Sequence, residues 1–215
     1  MLKTGLCFIS EPQEKELQMS KWDKFKKPIL TDAEAEELYD MAVENEYHGR
    51  DHGIKRISSF LPYIRKHLKK GGAVLEVGCG QGGVARILKK QFGFKVLATD
   101  LSLKTLNKFC GDLETMQLSM SQLHKIEDNT YDMVVAIDVL EHLCTEDAGK
   151  QVISDFARIT KNCAVFSIAF TPSHGFRDKV QLHKLIRPKD WWTKIIKSHF
   201  EILFQEGKKY FCKVK

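Results

Sequence analysis

The chain has 215 residues, of which 43% are apolar and 29% charged, with a formal net charge of +6. Its 14 Gly and 5 Pro are too few for a collagen-like or low-complexity chain, and it has no run of about 18 apolar residues to span a membrane. The length suits one large domain or two small ones, and it can bury a substantial core. The first ten residues, followed by Glu11 and Glu14, make a poor signal peptide, so the chain is expected to be soluble and cytoplasmic, with no membrane partner. Six cysteines, at 7, 79, 110, 144, 163 and 212, have neither C-x-x-C nor structural-zinc spacing and read as free thiols in a reducing compartment. The basic excess is local: residues 171–215 carry 11 Lys/Arg against 4 Asp/Glu.

Residues 1–30 are polar and weakly patterned, and read as an N-terminal arm, in part disordered. A single domain is expected over 31–215. It opens with a capping box at Thr31-Asp32-Ala33-Glu34 and a helix whose apolar face holds Leu38, Met41 and Ala42. Residues 31–53 form a lid-like helical region that breaks at Tyr47–Gly53. Ile54, Ile57, Leu61, Ile64 and Leu68 then recur at helical spacing up to Gly71-Gly72. From there strands and helices alternate. Strands are predicted at Ala73–Val77, Lys95–Thr99, Met116–Leu118, Met133–Ile137 and Cys163–Ala169, and a helix after Pro188 contains Trp191, Trp192, Ile195 and Ile196. A hairpin, Glu201–Phe204 and Tyr210–Val214, closes the chain. The alternation predicts an α/β fold: a doubly wound, mostly parallel Rossmann-like sheet with a C-terminal antiparallel hairpin and N-terminal helices. Ligands bind such sheets at the carboxyl ends of the strands.

The densest signal lies at one such end. Val74-Leu75-Glu76-Val77 runs into Gly78-Cys79-Gly80-Gln81-Gly82-Gly83, and a helix follows. Glycine lets the backbone approach a ligand, and the helix start offers free N–H groups. Gly78, Gly80 and Gly83 satisfy the dinucleotide pattern G-x-G-x-x-G, whereas Gly78, Gly80 and Gly82 satisfy G-x-G-x-G, so the glycines alone leave the nucleotide open. Asp100 ends the next strand, where a carboxylate can accept from ribose hydroxyls or cap the helix behind it. The strand Asp132–Ile137 empties into Asp138-Val139-Leu140-Glu141-His142.

With these three motifs in order, the chain resembles the class I S-adenosylmethionine-dependent methyltransferases that carry an L-E-x-G-C-G-x-G loop and a D-V-L-E-H strand end. The resemblance covers residues 55–170. It implies S-adenosylmethionine as cofactor and S-adenosylhomocysteine as product. It places Glu76 near the methionine amino group, Gly78, Cys79, Gly80 and Gly82 around the methionine and ribose, Asp100 on the ribose hydroxyls, Leu101 on the adenine, and Asp138 at the methionine end. Such enzymes often carry a carboxylate after the third strand for the adenine amino group; here Ser121 and Gln122 stand in that region.

Methyl transfer from a sulfonium needs alignment and, for a hydroxyl or protonated amine, removal of a proton. His142 is the candidate general base or else an orienting residue. Tyr47, His48 and His52 before the domain core, and His174, Arg177, His183 and Trp192 in or after the 171–190 loop, are the candidate acceptor-binding residues. The histidines have no metal-site spacing, and no metal is expected. The acceptor is expected to be a small or medium polar molecule, methylated at O or N. The alternatives are a nucleic acid held by the basic C-terminal region and a non-catalytic cofactor-binding partner.

Overall fold

The computed structural model describes residues 20–45, 52–174 and 179–215. Seven strands form one sheet: β1 (Ala73–Val77), β2 (Lys95–Asp100), β3 (Glu114–Gln117), β4 (Tyr131–Ile137), β5 (Thr160–Ser167), β6 (Phe200–Glu206) and β7 (Lys209–Val214). Their order is β3-β2-β1-β4-β5-β7-β6, parallel through β5, with β7 antiparallel to both β5 and β6. The expected sheet is thus present, hairpin included. β3 starts two residues and ends one residue earlier than its sequence pattern suggested, because this edge strand is exposed throughout and shows no burial alternation.

Successive residues of the central strands feed opposite faces. Leu75, Val77, Val134 and Ala136 join the core beneath α6 (Glu146–Ile159) and α7 (Lys189–His199). Val74, Met133 and Val135 join the core beneath α3 (Leu61–His67), α4 (Gly83–Phe92) and α5 (Leu103–Phe109). The register aligns Val77 with Thr99 of β2 and Ala136 of β4, so three parallel strands leave the sheet at one level.

The N-terminal helices differ in detail from the sequence reading. α1 (Asp32–Glu44) starts at Thr31 with both halves of the capping box made. The expected helix over 54–68 is instead α2 (His52–Ile57), a 3-10 turn (Ser58–Phe60) and α3. Pro62 lacks the N–H that would bond the Ser58 carbonyl, which interrupts the ladder there. Of the expected arm, residues 1–19 lie outside the described residues, but 20–30 pack on the body: Trp22 and Phe25 are buried with Leu38, Ala42, Val180 and Leu182. The five cysteines of the described residues are free thiols, and no helix there is long and apolar enough to cross a membrane.

Trp192 corrects an expectation. It is fully buried in the core with Phe166, Ile196, Phe200 and Tyr210, so it does not contact an acceptor. Its α7 face turns inward because Trp192 and Ile196, one turn apart, pack on α6 and the sheet. Trp192→Ala is expected to cost about 3–5 kcal/mol of stability, read as a lower midpoint of urea unfolding. An unchanged midpoint would contradict this packing role.

Candidate active site

At the shared strand exit, β1 turns sharply through Gly78 (φ +71°) and Gly80 (φ +52°) into α4. A Cβ on Gly78 would meet Val139 Cγ2 at 2.5 Å, so only glycine lets the segments after β1 and β4 come this close. Gly80 faces open space, and its amide donates to Asp100 Oδ2 at 3.0 Å. The other carboxylate oxygen, Oδ1, accepts from Ser102 N–H at 3.0 Å. The Leu101 amide also approaches this carboxyl, which retains lone-pair capacity for a ligand. Burial pushes the Asp100 carboxyl upward, partly opposed by these amide bonds.

The exits of β1, β2 and β4 open into one cavity of about 910 Å³. On the β2–β3 side it is bounded by Glu76, Gly80, Asp100, Leu101, Ser119 and Ser121. On the β4 side it is bounded by Asp138, Val139, His142 and Cys144, with Leu182 and His183 arriving from the segment after β5. Ile29, Leu30, Ala35 and Tyr39 close it from the N-terminal region.

α1 is held over the cavity by a row of acids spaced four residues apart, and therefore on one helix face. Asp32 accepts from Ser121 Oγ, Glu36 from Gln117 Nε2 at 2.7 Å, Asp40 from Ser102 Oγ at 2.6 Å, and Glu44 from Lys104 Nζ at 2.5 Å. The bond to Ser121 brings the Asp32 carboxylate to the cavity wall after β3.

Asp138 sits at φ +52°, a conformation Asp tolerates better than most residues. It is pinned from three elements. Its carboxylate pairs with Arg56 of α2, accepts from Lys208 Nζ at 3.0 Å in the β6–β7 turn, and accepts from Ser167 Oγ of β5 at 2.9 Å.

His142 follows in a 3-10 turn, Leu140–His142. Its Nδ1 lies 2.6 Å from the Tyr39 hydroxyl, and its ring stands edge-on to that of His183, with centroids 5.1 Å apart. Burial, with help from His183, lowers its pKa to about 4, so the ring is neutral at pH 7. The neighbouring Glu141 is fully buried; neither of its oxygens makes a hydrogen bond of good geometry, and only the backbone N–H groups of Glu141 and Ala169 approach them. Burial and the charge of Asp138 push its carboxyl up to about 8.

The sequence-proposed residues divide as follows. Glu76, Gly78, Cys79, Gly80, Asp100, Leu101, Ser121, Asp138, His142 and His183 all border the cavity. Cys79 is a buried thiol, and its hydrogen bond with Cys110 and its burial push its pKa up. Gly82 and Gln122 do not border it: a Cβ on Gly82 would meet Leu113 at 2.6 Å, and the Gln122 amide oxygen accepts from Ser119 N–H as a helix cap. His174 is exposed and away from the lining. Tyr47, His48 and Arg177 lie outside the described residues, and His52 opens α2. Sequence reasoning missed Arg56 and Lys208, whose partner Asp138 is distant along the chain. It also missed the acid row of α1, although Asp32, Glu36, Asp40 and Glu44 are legible as an i, i+4 series.

Residues 75–168 match the protein family described as "Methyltransferase domain". An uncharacterized protein of Methanocaldococcus jannaschii is 35% identical over 95 residues, covering 44% of this chain and 38% of that protein. The ribosomal protein L11 methyltransferase of Thermotoga neapolitana is 27% identical over 148 residues, covering 63% of this chain and 53% of that enzyme. The chain thus spans about half or less of the length of these curated relatives. Among solved structures, Haemonchus contortus phosphoethanolamine N-methyltransferase 2 in complex with S-adenosyl-L-methionine shares the fold, with a TM-score of 0.54 and 18% identity over 81% of this chain and 46% of that one. The sheet order and the strand-end cavity agree with this match, so residues 75–168 carry a methyltransferase domain of the class I, S-adenosylmethionine-dependent kind.

Proposed function

We propose that the protein transfers a methyl group from S-adenosylmethionine to an oxygen or nitrogen of a small or medium polar acceptor. The observation that carries this reading is that one cavity of about 910 Å³ joins the glycine turn and Asp100 to the Tyr39–His142–His183 group. That volume is near the top of the range for small-molecule sites, about 300–1,000 Å³, which suits a cofactor and a modest acceptor together.

The residues present fit the cofactor. Gly80 leaves the space a side chain would fill, and Asp100 keeps lone pairs for two ribose hydroxyls. Glu76, buried at the end of β1, faces the cavity where the methionine amino group would lie. The carboxylate expected after β3 is supplied from another element: Asp32 of α1, beside Ser121, is the acceptor available to the adenine amino group. When bound, the cofactor supplies an electrophilic methyl group on a sulfonium.

The chain's own contribution is alignment and exclusion of water. α1 and the 180–183 segment cover the cavity, and Tyr39 and neutral His142 present a hydrogen-bonded pair to the acceptor side. With its pKa near 4, His142 is a weak base, because an efficient general base titrates near the working pH. It therefore serves to orient Tyr39 and the acceptor.

A small acceptor is favoured over nucleic acid by the fate of the C-terminal cations. Lys208 pairs with Asp138, Arg187 with Glu146, Lys209 with Glu206, and Lys184 donates to the carbonyls of Phe25 and Lys27. These four are engaged within the domain, which leaves fewer C-terminal cations for a basic track. The names of the relatives span a ribosomal protein, a sterol and phosphoethanolamine, and so do not choose among acceptors for this chain.

Asp100→Ala is expected to weaken S-adenosylhomocysteine binding by about 1–3 kcal/mol, the cost of losing hydrogen bonds to a charged group. Calorimetry checks this, and equal affinities would show that the ribose lies elsewhere. Transfer of a radiolabelled methyl group from S-adenosylmethionine into extract fractions tests the activity itself. Label in the metabolite fraction is expected; label confined to nucleic acid or protein would overturn the small-acceptor reading.

A further inference from the structure

Glu141, His142 and His183 offer one carboxylate oxygen and two ring nitrogens that all lie within 4.8 Å of one another. Glu141 and His142 leave β4 together, whereas His183 arrives from the segment after β5, so sequence spacing carries no trace of the group. Leu185 N–H donates to the Glu141 carbonyl at 3.0 Å and ties the two segments together.

Three further observations give this cluster a purpose. The Glu141 side chain is fully buried, and its oxygens have no side-chain partner and no hydrogen bond of good geometry; only the backbone N–H groups of Glu141 and Ala169 approach the carboxyl. Buried carboxylates are normally hydrogen-bonded, paired or metal-bound. The His183 Nδ1 lies 2.7 Å from the Thr171 carbonyl oxygen, which can only accept. Nδ1 therefore carries the proton, and Nε2 presents its lone pair, the tautomer of a metal ligand held by an outer carbonyl. His142 is held through its Nδ1 by the Tyr39 hydroxyl, which can donate or accept, and it offers Nε2 as a ligand in the tautomer whose Nδ1 donates to that hydroxyl.

We propose that Glu141, His142 and His183 form a binding site for one first-row divalent cation of the Zn²⁺ type, at the acceptor side of the cavity. Two imidazoles and one carboxylate suit Zn²⁺, Co²⁺ or Mn²⁺, whereas Ca²⁺ and Mg²⁺ prefer all-oxygen sets. Three protein ligands leave at least one position open, the arrangement of catalytic rather than structural zinc. His142 and His183 border the cavity, so the open position faces it. Resting on the methyltransferase reading, the cation's role is to hold an acceptor oxygen and make its hydroxyl more acidic.

The test uses the full chain without an affinity tag, stripped with chelator and titrated with Zn²⁺ by calorimetry, and with Co²⁺ by visible absorption. One equivalent of each is expected, and the Co²⁺ spectrum should lack a thiolate charge-transfer band. Glu141→Gln and His183→Ala should each weaken binding at least about tenfold, the lower end of what even outer-shell changes cost. His199→Ala, outside the cluster, should bind as wild type does. His183→Gln serves as a second loop substitution should Glu141→Gln fail to fold. Absence of stoichiometric binding, or binding that survives the Glu141 and His183 substitutions, overturns the site. S-adenosylhomocysteine titrated into the same samples reads the methyltransferase proposal separately, because cofactor binding does not need these three ligands.

Discussion

The near-contact of Val139 with the α-carbon of Gly78 is the constraint on which the site depends. At 2.5 Å from where a Cβ would stand, the valine leaves no room for any side chain at residue 78. This closeness lets the exits of β1 and β4 share one cavity, so that the turn carrying Gly80 faces the segment carrying Asp138 and His142. The parallel register supports it, since Val77, Thr99 and Ala136 end at one level. A substituent at Gly78 would both strain a backbone at φ +71° and part the two segments.

Around that point the polar side chains act as fasteners between elements that are remote in sequence. Asp138 gathers Arg56 from α2, Lys208 from the β6–β7 turn and Ser167 from β5. The acids of α1 gather Ser121, Gln117, Ser102 and Lys104. Exposed pairs such as Glu44–Lys104 contribute little individually, but the bond to fully buried Ser102 is shielded from water and fixes the register of α1. Helix α1, the sheet edge and the strand exits are thereby one mechanical unit, with Tyr39 delivered to His142 as a consequence. Part of the C-terminal basic excess is engaged the same way: Lys184, Arg187, Lys208 and Lys209 have partners within the domain.

How much of this was legible in the sequence depends on the range of the interaction. Local signals were read correctly: the Thr31–Glu34 capping box, the glycine turn, the Asp100 strand end and the closing hairpin all follow from residues within one turn of each other. The break at Pro62 was masked by an apolar period that continues through it, and β3 by its lack of a buried face. Trp192 was misplaced because adjacent tryptophans on a helix cannot be assigned to faces without knowing where α6 lies. Contacts between distant segments left no pattern to read: Asp138 with Lys208, Ser121 with Asp32, and Glu141 with His183.

Each of these arrangements borders the one cavity that the proposed cofactor and acceptor would share. The most direct measurement is calorimetric titration of the wild-type chain with S-adenosylhomocysteine and, separately, with NAD, the ligand of the competing G-x-G-x-x-G reading. Saturable binding of one equivalent of S-adenosylhomocysteine, with no heat from NAD, is the expected result. Binding of NAD without S-adenosylhomocysteine would contradict the assignment of the glycine turn and Asp100.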